Sequence, residues 1–426
     1  MSETNLNQLA WISLFEKYDI FNQLEQHNFF NITSTQINEF REARLMTKFD
    51  NTSQLPNIFY KHGIGILPIS RGTYTLGKFN IFHKFEEISD EVEHYRFCNI
   101  YESLDFNNIS SESTAISCAS ISKILDDFIG EELVPTVSGR MGTSTFEFSL
   151  DKFHTKKIKV EKAQIEIDGG YEGEKSFVLI EAKNYISDDF IIRQLYYPFR
   201  KWKETIQKKV KSIYLTYSNG IFELREYAFT DIEGYNSINL VKSKRYAIYN
   251  IVINVEIIQE LILKTTIEPE PMDTPFPQAD SFDRVINLCE LINTSEILGK
   301  DEITENYDFD SRQTDYYLNA CKYLGLAEKG YKDEVISAFL SPKGKEIFKK
   351  DISSRRLDFI KLIISKVVFR KTLELYFNKA SMPTKDEVVL IMKESKLNNI
   401  ASEETYSRRA STVLGWTNWI IGQIEE

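Results

Sequence analysis

Along this chain apolar and polar positions follow two different periods, and the change between them divides it. Gln164-Ile165-Glu166-Ile167-Asp168 alternates strictly, so Ile165 and Ile167 share one face of a strand and Gln164, Glu166 and Asp168 the other. After Gly169-Gly170 and a short polar stretch, Phe177-Val178-Leu179-Ile180 is an unbroken apolar run, the pattern of a strand buried inside a sheet. It ends in Glu181-Ala182-Lys183, where period two puts Glu181 and Lys183 on one face and Ala182 on the other. A hairpin across 171–176 brings Asp168 near Glu181 and Lys183. Around it the pattern predicts a helix over 113–128, a strand over 145–150, an amphipathic helix over 188–207 and a strand over 211–217. Pro198 predicts a kink or break in the second helix.

Residues 1–105 read as a separate α+β region: helical stretches at 6–30 and 35–47, then short strands over 64–85 punctuated by Gly63, Gly65, Gly72 and Gly77. Pro269, Pro271, Pro275 and Pro277 mark 268–280 as an extended linker. Beyond it, residues 281–426 have helical spacing. A helix over 281–298 is followed by one opening at Ser311-Arg312-Gln313-Thr314, a turn, and Leu340-Ser341-Pro342-Lys343-Gly344 starting another. This order looks like a winged helix-turn-helix. Residues 402–416, with Ser407-Arg408-Arg409-Ala410-Ser411-Thr412 at their centre, look like a second recognition-type helix followed by an aromatic turn at Gly415-Trp416. The fold class expected is therefore α/β, with a mixed sheet of α+β type, followed by an all-α winged-helix region.

Composition narrows the partners. With 42% hydrophobic and 13% aromatic residues the chain is a folded protein, and at 426 residues it holds two or three cores. Met1-Ser2-Glu3-Thr4-Asn5 has neither the basic nor the apolar region of a secretory signal, and no long apolar run is present, so a cytoplasmic protein is expected. Cys98, Cys118, Cys289 and Cys321 are scattered and read as reduced thiols. A net charge of −11 argues against nucleic acid in bulk, but basic clusters occur at 156–159, 200–203, 208–211 and 242–245, three of them flanking the hairpin core. His27, His62, His83, His94 and His154 are dispersed, and neither a phosphate loop nor a dinucleotide fingerprint is present.

Asp168, followed a dozen residues later by Glu181-x-Lys183 on a buried strand, resembles the PD-(D/E)XK nuclease superfamily. The predicted α-β-β-β-α-β order over roughly 110–230 agrees with that resemblance. The family's leading proline is replaced by Ile167. Within the superfamily the chain looks most like a Type II restriction endonuclease, with a catalytic domain over 106–267. The resemblance implies Mg²⁺ as cofactor, double-stranded DNA as substrate, a homodimer (transient or stable) and functional pairing with a DNA methyltransferase.

The chemistry fits those residues. Hard oxygen ligands suit Mg²⁺. Asp168 and Glu181 are the metal ligands, with the Ala182 carbonyl a further candidate, and Lys183 orients water or offsets charge on the phosphate. Glu166, Gln164 and Gln194 are auxiliary candidates; Glu131 or Glu132 could add a carboxylate. For DNA contact, Arg193 and Arg140 (in a loop, 138–142) lie near the core. Arg312 and Gln313 suit base edges and Ser311 and Thr314 phosphates, and Ser407, Arg408, Arg409 and Thr412 offer the same groups. Two alternatives stay open: a structure-specific repair or junction nuclease, and a DNA-binding regulator with an inert nuclease fold.

Overall fold

The structure, a computed structural model, describes residues 3–89, 91–95, 101–150, 157–248, 252–306, 311–332, 335–395, 397 and 402–424. It is mixed α/β with mixed sheets, followed by a largely helical C-terminal region. The chain opens with α1 (Glu3–Lys17), α2 (Ile20–His27), β1 (Phe29–Thr33), α3 (Ser34–Ile37), α4 (Ala43–Met46), a 3-10 turn (Thr52–Gln54) and α5 (Asn57–His62). Then come β2 (Gly65–Ser70), β3 (Thr73–Gly77), β4 (Phe82–Lys84) and β5 (Val92–Tyr95). The long helix expected over 6–30 is two helices, because Asp19 takes a left-handed backbone between them.

The middle of the chain supplies α6 (Glu112–Ile121), α7 (Ile124–Ile129), β6 (Val134–Gly142), β7 (Thr145–Ser149), β8 (Lys157–Glu161), β9 (Gln164–Glu172) and β10 (Ser176–Lys183). After these come β11 (Asp189–Ile191), α8 (Arg193–Thr205), β12 (Lys209–Ser218), β13 (Ile221–Phe229), β14 (Ile238–Ile248) and α9 (Val255–Lys264). A seven-stranded sheet in the order β5-β14-β13-β12-β10-β9-β6 forms the centre. β10 and β12 pair in parallel, which requires a crossover, and α8 provides it. Every residue of β10 is buried, because α6 and α7 cover one face of the sheet and α8 the other.

Two expectations are corrected here. Residues 138–142 belong to β6, which pairs with β9 in the central sheet, and are not a loop. The strand expected over 145–150 forms as β7, but it pairs with β8 in a separate five-stranded sheet of order β1-β3-β2-β8-β7. The neighbour of the hairpin is therefore β6. Pro198 does not break α8, since the helix runs through it to Thr205. Lacking an N–H, Pro198 leaves the Gln194 carbonyl without its usual helical donor.

The C-terminal region comprises α10 (Phe282–Ser295), β15 (Leu298–Gly299), α11 (Lys300–Asn306), α12 (Ser311–Tyr323), β16 (Ala327–Lys332), β17 (Val335–Leu340) and α13 (Pro342–Phe348). It continues with α14 (Ile352–Ile364), α15 (Val367–Lys379), α16 (Lys385–Glu394) and α17 (Glu403–Ile421). β16 and β17 make a hairpin in place of a plain turn, with β15 on its edge. The proline-rich stretch is not a free spacer. Phe276 and Ala279 are buried in the C-terminal core, Glu268 pairs with Lys366, and Tyr323 Oη donates to Glu270. α17 also departs from expectation, because it continues through Gly415 and Trp416 with no aromatic turn, and no strand accompanies it among the described residues. A Cβ on Gly415 would sit 2.3 Å from the Asp280 carbonyl, so glycine lets the helix lie against the strap while Trp416 donates to Ala279 O. Among the described residues no helix is long and apolar enough to cross a membrane. Cys118, Cys289 and Cys321 are buried free thiols; Cys98 and His154 lie outside the described residues.

Candidate functional site

The hairpin forms in the expected register. β9 and β10 pair antiparallel with Val178 opposite Tyr171 and Ile180 opposite Gly169, which brings Asp168 level with the end of β10. There the Ala182 N–H donates to Asp168 Oδ2 at 2.9 Å. The twin glycines have a reason, since a Cβ on Gly170 would lie 2.8 Å from the Val137 carbonyl of β6. Lys183 Nζ donates to Glu181 Oε1 at 2.6 Å and to Ala182 O at 3.0 Å. Glu181 and Lys183 thus share one face, while Ala182 packs with Val178 and Ile180 under α6. Glu181 is 7% exposed and Lys183 5%, so solvent screens this pair little.

Two more carboxylates reach the cluster from distant segments. Glu112, in the first turn of α6, places Oε1 3.3 Å from Lys183 Nζ. Gln194, in the first turn of α8, donates through Nε2 to Glu181 Oε1 at 2.6 Å and to Asp50 Oδ1 at 3.2 Å. The suspected extra acids are elsewhere: Glu131 accepts from Lys175 N in the hairpin turn, and exposed Glu132 lies 3.9 Å from Lys123. Glu112 carried a weak signal as an acid in the first turn after the Ser111 cap, whereas Asp50 lies in an aperiodic stretch and carried none.

The electrostatics follow from crowding. Burial pushes Glu181 up to about 8; Lys183 opposes this shift, and Asp168 and Asp50 add to it. Burial raises Asp168 and Glu112 as well. Burial also disfavours the Lys183 charge, but Glu181, Asp50 and Glu112 outweigh it and hold the ammonium well above its ordinary range. One ammonium therefore faces four carboxyl groups. Among the described residues no group of three or more His, Cys, Asp or Glu side chains is gathered closely enough to hold a metal. The donor set nevertheless fits a hard divalent cation in kind: oxygen ligands in excess of positive charge, with Gln194 Oε1 buried and unpartnered. Asp168 and Glu181 are the residues that would hold one, and the Ala182 carbonyl already accepts from Lys183.

Other expected residues divide. Glu166 is exposed, lines a small crevice with Glu181, Gln194 and Pro198, and pairs with Arg140 at 3.3 Å. Gln164 is exposed opposite Gly142, at the far end of β9. Arg193 is half-buried at the start of α8. Arg312 and Gln313 are exposed on the first turn of α12, Arg312 against the Tyr316 ring. Ser311 opens that helix, and its side chain lies outside the described residues. Thr314 is fully buried and bonded to Thr304, and Thr412 is 1% exposed, so neither is offered to a ligand. Arg408 is exposed; Ser407 and Arg409 are half-buried.

The basic clusters are largely consumed within the fold. Arg200 is buried and donates to Glu147 O, Ile232 O and Tyr196 Oη; Lys208 pairs with Glu172, Lys211 with Glu226, Lys244 with Asp127 and Arg245 with Glu223. Lys156 lies outside the described residues. Crowding of positive charge near the hairpin thus reflects internal pairing.

Three family models match the chain in succession. Residues 8–76 match a domain of unknown function (DUF6996), residues 77–247 a domain of unknown function (DUF6997), and residues 284–425 a domain of unknown function (DUF7226). No curated protein and no solved structure matches it.

Proposed function

We propose that the protein is a Mg²⁺-dependent endonuclease of the PD-(D/E)XK type that cuts double-stranded DNA, acting as a Type II restriction enzyme. The observation that carries this reading is the meeting of Asp168, Glu181 and charged Lys183 at the ends of two paired strands. The α6-β6-β9-β10-α8-β12 path, with β12 parallel to β10, supports it.

Hydrolysis joins a water oxygen to phosphorus and breaks one P–O ester bond. Lys183, kept protonated by its carboxylate neighbours, is the group beside which negative charge on the phosphate is offset. Gln194 fixes the Glu181 carboxyl by donating to Oε1, and Ala182 N fixes Asp168. Bound Mg²⁺ would polarise the phosphate and ease deprotonation of water. The C-terminal region is fastened close by: Asn287 donates to Asn184 O, just after Lys183, and Arg284 pairs with Asp188 at 2.6 Å. Exposed Arg312, Gln313 and Arg408 are the side chains for DNA contact, with winged-helix docking of α12. A methyltransferase partner and a homodimer belong to this reading.

The test is digestion of unmethylated plasmid with Mg²⁺ and sequencing of the ends. Discrete bands abolished by Asp168→Ala support restriction. Cutting confined to forks or junctions would replace it with a repair enzyme, and specific binding without cleavage with a regulator.

A further inference from the structure

We infer that Asp50, from the N-terminal region, is a positioning residue for this site: it holds Gln194 in the orientation that presents its amide to Glu181. The inference rests on the nuclease reading for its reaction, and on geometry alone for its contact.

The segment around Asp50 is fixed from several sides. Asp50 N donates to Gln54 Oε1 at 2.6 Å, and Asp50 O accepts from Ile191 N at 2.8 Å. Thr52 N donates to Asp189 Oδ1 at 2.7 Å, and the Thr52 hydroxyl also bonds Asp189. Asn51 is 1% exposed. The N-terminal chain is thus stitched along β11, immediately before α8. Its carboxylate is half-buried and near enough to Lys183 to favour the ammonium. It accepts from the same Gln194 nitrogen that donates to Glu181, 3.2 Å from Oδ1.

An amide NH2 has two protons and can serve both carboxylates only in one orientation. Asp50 fixes that orientation, so Gln194 offers Glu181 its donor edge and leaves Oε1 as the unpartnered atom. Without Asp50 the amide loses one of its two acceptors and is held less firmly in the orientation that donates to Glu181. Placing a fourth carboxylate near three others costs energy, and the tethering of its backbone offsets that cost. Asp50 falls within the span of one family model and Glu181 within that of another, so the site is assembled across the two matched segments.

The test compares full-length wild type, Asp50→Ala and Asp50→Asn in plasmid cleavage, in calorimetric titration with Mg²⁺ alone, and in thermal unfolding. Asp50→Ala is expected to lower kcat about tenfold with KM for DNA and the unfolding temperature unchanged. Asp50→Asn, whose amide oxygen still accepts from Gln194, should recover most of that rate. Asp50→Ala should also bind Mg²⁺ more weakly, by about fivefold. An Asp50→Ala protein equal to wild type in kcat and Mg²⁺ affinity overturns the inference and leaves the nuclease reading standing. So does a loss that tracks lowered unfolding temperature equally in both variants. If wild type binds Mg²⁺ but cuts no DNA, the nuclease reading fails and the Mg²⁺ affinities alone decide Asp50's role. Wild type that neither binds Mg²⁺ nor cuts overturns both.

Discussion

Lys183 Nζ lies 3.3 Å from Glu112 Oε1, which ties the first turn of α6 to the end of β10. The two residues are 71 positions apart in sequence (183 − 112), and the helix and strand belong to different layers. Because Lys183 is also bonded to Glu181, its ammonium is shared between a strand carboxylate and a helix carboxylate. Glu112→Gln should reduce Mg²⁺-dependent turnover about tenfold, because a charge partner of Lys183 is lost while the hydrogen-bonding shape remains. With 40% of its side chain exposed, Glu112 contributes little to folding, and the unfolding temperature should stay within about 2 °C. Steady-state cleavage alongside calorimetric scanning checks both parts.

The proton on Glu181 gives a pH dependence with a definite sign. The folded carboxyl titrates near 8 because burial raises it, whereas in the unfolded chain it titrates at its ordinary value of 4.5. Between these values the folded state holds more protons than the unfolded state, so this group's contribution to stability falls as pH rises. The slope approaches about 1.4 kcal/mol per pH unit. Urea denaturation of wild type and Glu181→Gln in chelator, at pH 5 and pH 8, measures it. The variant should gain on wild type toward pH 8; parallel curves would contradict the raised value.

The proposed DNA contact by α12 would distinguish exposed from buried neighbours. Arg312→Ala should weaken binding to cleavable DNA by about 1–3 kcal/mol if it reads a base edge, or lower the salt slope by about 1 if it meets a phosphate. Thr314→Val should leave affinity unchanged, since Thr314 is fully buried against Thr304. Gel shifts across a salt series with Ca²⁺ in place of Mg²⁺ distinguish these outcomes.

The contact of α17 with the proline-rich strap is testable through stability alone. Gly415→Ala places a methyl 2.3 Å from Asp280 O, a clash with backbone that a rotamer change cannot relieve. A cost of about 1–3 kcal/mol is expected from such overpacking. Trp416→Ala, which empties a fully buried site and removes the bond to Ala279 O, should cost about 3–5 kcal/mol. Chemical denaturation checks both values.

What the sequence determined by itself was local. Period two fixed which of residues 164–168 and 181–183 share a face, and the turn between them is short, so the meeting of Asp168, Glu181 and Lys183 was legible without a fold. Helical apolar spacing located the helices over 281–298 and from Ser311 for the same reason. Tertiary structure decided everything that depends on which distant segments pack together. Asp50 and Glu112 join the cluster only because the N-terminal chain lies along β11 and α6 crosses the sheet. β6 rather than β7 flanks the hairpin because a strand's side-chain period says which face it buries and nothing about which strand it pairs with. Thr314 and Thr412 turn inward because a helix position is exposed or buried according to what packs on that face, and polar identity does not settle it.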